Sequence, residues 1–176
     1  YARTRHNLGF YLVDALAGRW GAEWREHRSW HGAWAEIFPT QFRRVLLVKP
    51  LTFMNRSGEC VSRVKRDRGF ENRQIMVVCD DISMPFGQVK ISLSPGTAGH
   101  HGVEDVANAV GKGFLRYRVG VGFKPHPEML LREFVLSPFS DSEGEQLEKI
   151  AENFVKNLEV LVDKERGTFM NGPTSL

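Results

Sequence analysis

Two short stretches of this chain hold residue types able to do acid–base chemistry. His6 lies in Thr4-Arg5-His6-Asn7, immediately ahead of an amphipathic helical pattern, and Asp80-Asp81 directly follows the apolar run 75–79. A helix start leaves backbone N–H groups unpaired and facing outward. The carboxyl ends of strands in α/β sheets are where ligands settle. A carboxylate that accepts one imidazole N–H fixes the tautomer, and the far nitrogen can then take a proton from water. His6 with Asp80 would make such a pair; the plain alternative is a capping histidine and a turn aspartate. Asp80-Asp81 also has a Mg²⁺ reading, for a nuclease. That cation prefers several oxygen ligands, and no further carboxylate clusters near this pair.

The stretch 49–58 reads Lys-Pro-Leu-Thr-Phe-Met-Asn-Arg-Ser-Gly. Pro50 disfavours a helical conformation at Lys49, and the helical pattern resumes only near Arg56. Phe53, Met54 and Asn55 therefore lie on a connection at a helix mouth. There they either line a pocket, with Asn55 offering donor and acceptor to a peptide group, or form a staple and an N-cap. The small-residue loop 94–102 contains His100 and His101 and feeds another helix. Its spacing matches no phosphate-binding motif, and adjacent histidines tend to diverge, which argues against zinc. Trp20, Trp24, Trp30 and Trp34 admit base stacking, but core packing or a hydrophobic rim is the commoner use.

The elements that must position these groups are legible from periodicity. Residues 7–20 put Leu8, Leu12, Ala15 and Leu16 on one helical face, with Gly21 as a stop. Strand patterns follow at 33–38 and 42–49, and a helix at 56–66. The run 75–79 reads as a strand covered on both faces. A strand at 89–93, a helix at 103–110 and a strand at 115–121 come next, the last with Arg116 and Arg118 on one side. Ser140 and Glu143 make a capping box ahead of a closing helix, about 141–166, with an apolar stripe through Leu147, Ile150, Phe154 and Leu158. Alternating strands and helices predict an α/β fold: one domain spanning 1–176, a three-layer sandwich with a twisted mixed sheet between helices.

With 41% hydrophobic and 26% charged residues among 176, the chain has the composition of a globular protein with a real core. No apolar run approaches membrane-spanning length, so no membrane partner is expected. Cys60 and Cys79 are far apart and lack metal spacing, as expected of reduced thiols in a cytoplasmic protein. Residues 1–73 carry 14 Lys/Arg against 7 Asp/Glu, whereas residues 125–176 carry 5 against 10. A basic front and an acidic tail suit a polyanion gripped by one face, or else are ordinary solvated charge.

Taken together, five co-linear blocks resemble the bacterial-type peptidyl-tRNA hydrolase family. They are Thr4-Arg5-His6-Asn7-x-Gly9-Phe10, Lys49-Pro50-x-Thr52-x-Met54-Asn55-x-Ser57-Gly58, Asp80-Asp81-x-x-x-Pro85-x-Gly87, Gly96-Thr97-Ala98-Gly99-His100-x-Gly102, and Arg116-Tyr117-Arg118-Val119-Gly120-Val121-Gly122. The resemblance implies hydrolysis of the ester of peptidyl-tRNA to free peptide and tRNA, by a monomer, with no metal or other cofactor. It implies His6 as general base, Asp80 as the carboxylate stabilising it, and Asn55 as the group binding substrate and positioning water. Tyr1, Phe53, Met54 and His101 would contact substrate, and Lys90, Arg116 and Arg118 would face the tRNA backbone. Residues 124–139 correspond to a lid beside the cleft.

Three departures accompany the resemblance. The family's opening strand and its Gly-Asn-Pro-Gly turn have no counterpart here, so an upstream strand and Asn-Pro-Gly-type turn are expected. His101 stands where an Asn is usual, and Ser92 where a basic RNA contact is common. These motivate the alternative of an RNA-binding relative that does not hydrolyse, of the kind that serves RNA splicing.

Overall fold

The computed structural model describes residues 4–164 apart from 41–42, 94–95 and 98. The chain enters through a 3-10 turn, Arg5–Asn7, into helix α1 (Leu8–Arg19), which ends ahead of Gly21. Leu8, Leu12 and Leu16 are buried along its inner face, as the 3.6-residue period requires. Strands β1 (Arg25–His27), β2 (Gly32–Thr40) and β3 (Arg43–Pro50) form an antiparallel sheet in that order, with Ala35 opposite Leu47. Helix α2 (Ser57–Arg68) leads to β4 (Met76–Asp81) and β5 (Val89–Ser92). Helix α3 (His101–Val110), β6 (Leu115–Gly120), α4 (Leu131–Leu136) and α5 (Asp141–Lys164) complete the order. In the second sheet, β4-β6-β5, β4 runs parallel to β6 and β5 antiparallel to it.

The α/β class holds, with helices covering both sides of the strands. Leu12 and Leu16 of α1 and Phe154 and Leu158 of α5 pack with Tyr117 and Val119 of β6 on one side. Val103, Val106 and Val110 of α3 pack with Cys79 of β4 on the other. Tyr117 anchors the first layer, its ring edge-on to Phe154 and its hydroxyl accepting from Asn157 at 2.8 Å. The capping box is present: Ser140 N–H donates to Glu143 Oε2 at 2.7 Å, and Glu143 N–H to Ser140 Oγ at 3.3 Å. Both cysteines are buried free thiols, and burial pushes Cys60 up to about 11 and Cys79 up to about 12.

The expected mixed sheet is resolved into two three-stranded sheets. Strand β3 pairs only with β2 and β4 only with β6 among the described residues. Their other edges border one largely apolar cavity of about 420 Å³, lined by Val45, Leu46, Val48, Met76, Val77 and Val78 among others. All six are half-buried, although they belong to the most apolar strands of the chain. The run 75–79 is thus less covered than its pattern predicts. The tryptophans also differ from a stacking platform. Trp30 is buried, donates its indole N–H to Asp67 Oδ2 at 2.7 Å, and meets Trp34 edge-on in a satellite core with Cys60 and Val64. Trp20 and Trp24 pack at the rim of the main core, beyond the end of α1.

Candidate active site

His6 is brought to Asp80 by the packing of α1 on β4. Gly9 makes this possible: a Cβ there would lie 2.5 Å from the carbonyl oxygen of Val78. The helix therefore seats directly on the strand, and the turn before it reaches the strand's carboxyl end. There His6 Nδ1 lies 2.9 Å from Asp80 Oδ1. Asp80 is 4% exposed, whereas the His6 side chain is 18% exposed. A second imidazole shares the same oxygen: His100 Nε2 lies 3.1 Å from Asp80 Oδ1. The two rings are tilted, with centroids 4.9 Å apart.

The hydrogen bonds fix the tautomers. His100 caps α3 by accepting the Val103 N–H on Nδ1 at 3.2 Å, so its Nε2 carries the proton and donates to Asp80. Burial alone would raise the Asp80 carboxyl, but the hydrogen bonds from His100 and His6 outweigh it and hold the group at about 2. Asp80 is therefore a carboxylate near neutrality and an acceptor only. Neutral His6 must then donate from Nδ1, leaving its Nε2 lone pair as the available base.

His100 was not legible as a site residue. Treated as one of two divergent neighbours, it gave no ligand signal; the missing clue was its position as N-cap, which turns the ring back toward β4. The divergence itself is real. His101 is 76% exposed, with Nδ1 3.7 Å from Glu104 Oε2, and takes no part in the Asp80 cluster. Met54 does approach it. Met54, His6, Asp80 and His100 all line the cavity between β3 and β4. Gly102 permits this, since a Cβ there would stand 2.6 Å from Met54 Sδ and 3.1 Å from His100 Cε1. Phe53 is 79% exposed and Asn55 exposed, on the turn Met54–Arg56 that opens α2. Tyr1 lies outside the described residues.

The adjacent carboxylates divide between two tasks, which corrects the Mg²⁺ reading. Successive strand residues point to opposite faces. Asp81 turns away from the histidines, accepts from Ser83 N–H and Oγ at 2.8 and 2.6 Å, and pairs with Arg118 Nε at 2.5 Å. The basic strand needs a similar correction. Arg116 is 3% exposed and donates to Gly96 O and Ser92 Oγ, so its guanidinium braces the loop before α3 rather than facing solvent. Arg118 is held by Asp81. Lys90, across the ladder from Arg118, is exposed.

Comparison with known proteins places this arrangement. The family model for peptidyl-tRNA hydrolase matches residues 1–174. A protein of Thermodesulfovibrio yellowstonii named peptidyl-tRNA hydrolase is 31% identical, over 97% of this chain and 90% of that one. One of Gloeobacter violaceus with the same name is 36% identical, over 93% of this chain and 82% of that one. Among solved structures, peptidyl-tRNA hydrolase from Acinetobacter baumannii superposes with a TM-score of 0.86 at 27% identity, covering 94% of this chain and 84% of that one. The chain carrying the His6–Asp80–His100 cluster belongs to the peptidyl-tRNA hydrolase family.

Proposed function

We propose that this protein hydrolyses the ester joining a peptide to tRNA, with His6 as general base. The observation that carries the reading is the bond of 2.9 Å between His6 Nδ1 and Asp80 Oδ1, made to a carboxylate that stays ionised. His6 Nε2 takes a proton from water as the water oxygen attacks the ester carbonyl carbon. The tetrahedral intermediate then collapses, the C–O bond to the ribose breaks, and the ribose oxygen takes the proton back from Nε2. The products are the peptide acid and tRNA with a free ribose hydroxyl. Asp80 holds the tautomer and offsets the positive charge that develops on the ring.

In this reading Asn55, on the exposed turn before α2, binds the substrate's peptide group and positions the water. Phe53, Met54, His101 and Tyr1 contact substrate. Lys90 meets tRNA phosphate directly, while Arg116 and Arg118 shape the surface beside it. Residues 1–176 act as a single domain and a monomer in the cytoplasm, with 124–139 as a lid. No helix among the described residues is long and apolar enough to cross a membrane.

The test is incubation of the protein with diacetyl-lysyl-tRNA in EDTA. Release of diacetyl-lysine with intact tRNA is expected. Binding without release would instead mark an RNA-binding relative, and strand cleavage restored by Mg²⁺ a nuclease.

A further inference from the structure

Arg5, the neighbour of His6, is used in a way the hydrolytic chemistry does not require. It is 8% exposed, yet its guanidinium is almost fully engaged. Nη2 makes a forked contact with Glu143, at 2.8 Å to Oε1 and 2.6 Å to Oε2. Nη1 donates to Pro138 O at 2.5 Å and reaches Ser137 Oγ at 3.4 Å. The guanidinium carbon lies 4.9 Å from the Phe134 ring centroid and 5.2 Å from that of Phe139. The backbone joins in: Arg5 N–H donates to Ser137 O at 3.2 Å, and Thr4 bridges Pro138.

These contacts converge on one place. Phe134 belongs to α4, Ser137–Phe139 follow it directly, and Glu143 closes the capping box of α5. The turn Arg5–Asn7 is thereby held from two sides, by Asp80 on the strand side through His6 and by the α4–α5 junction through Arg5. We propose that Arg5 is a positioning residue for the reaction: with Glu143 it registers the α4–α5 junction against the turn that carries His6, so that the base keeps its approach to the attacking water. A planar guanidinium suits this task, because it can fork to a carboxylate and stack on aromatic faces at once, which an ammonium cannot. The inference rests on the role of His6 given above.

The experiment compares wild type with Glu143→Gln and Arg5→Lys, assayed well below the melting temperature of each. Glu143→Gln keeps an acceptor for the capping box, and Arg5→Lys keeps the charge. We expect each to lower kcat by about tenfold, as a sub-ångström misplacement of a reacting group does, with KM for peptidyl-tRNA within about twofold. The double variant should lose no more than the worse single one, because both break the same clamp. Exchange of the His6 Nδ1–H proton, followed by NMR without substrate, should quicken in both variants. Unchanged kcat and unchanged proton exchange, with only a lower melting temperature, would overturn the proposal and leave Arg5 a structural anchor. Faster proton exchange in variants of a wild type that does not cleave would instead count against the hydrolytic reading while supporting the clamp.

Discussion

His6 and His100 donate to the same oxygen of Asp80, at 2.9 and 3.1 Å. One comes from the turn entering α1, the other from the N-cap of α3. A single buried carboxylate oxygen thus orients His6, the proposed base, and is itself stabilised by a second imidazole. His100 also ties that stabilisation to the helix it caps.

His100→Ala should therefore act on His6 through Asp80. Removing the donor takes away a hydrogen bond that favours the Asp80 carboxylate, so its titration point should rise, as read by carbon-13 NMR of the labelled aspartate. We expect kcat to fall by about tenfold, with KM little changed. His100→Asn, which keeps capping capacity, should recover stability but not the full rate. An unmoved Asp80 titration would contradict the shared-oxygen account.

Acid stability follows from the same carboxylate. Its folded value, about 2, lies below the ordinary 3.8, so the folded state binds this proton less readily than the unfolded chain does. The stabilisation is fully present above ~pH 4 and is lost as pH falls toward ~2, amounting to about 2 kcal/mol. Asp80→Asn should show a flatter decline across that window in denaturant titrations at stepped pH. Parallel curves for the two proteins would refute the linkage.

On the basic side of β6, stability and RNA affinity should separate by residue. Arg118→Ala strands the buried Asp81 carboxylate and should cost about 3 kcal/mol, seen as a lower melting temperature. Lys90→Ala removes an exposed charge and should leave melting unchanged. It should raise KM for peptidyl-tRNA and shallow its log–log salt dependence by about one unit. A salt slope identical to wild type would remove Lys90 from the RNA contact.

Much of this was legible in the sequence for identifiable reasons. The long helices carry 3.6-residue stripes, as in Leu8, Leu12 and Leu16, and the Ser140–Glu143 box announces α5 outright. His6 and Asp80 were legible because each stands at the end of an element, where backbone geometry directs side chains into a crevice. The separation of Asp80 from Asp81 follows from strand alternation alone and could have been read. What escaped was non-local. The division of strands between two sheets depends on pairing that periodicity does not encode. The three-residue β1 is too short to show a pattern. Arg116 looked like surface charge because burial of a guanidinium depends on the loop carbonyl at Gly96, a partner that spacing does not reveal. Arg5 escaped likewise, its partner Glu143 lying far along the chain.

In the proposed hydrolysis His6 Nε2 takes the proton from the attacking water. Single-turnover cleavage of diacetyl-lysyl-tRNA by wild type and His6→Ala, alongside tRNA affinity measured separately, tests it most directly. We expect a loss of about two or more orders of magnitude in the cleavage rate with affinity nearly unchanged. Cleavage by His6→Ala at close to the wild-type rate would contradict it.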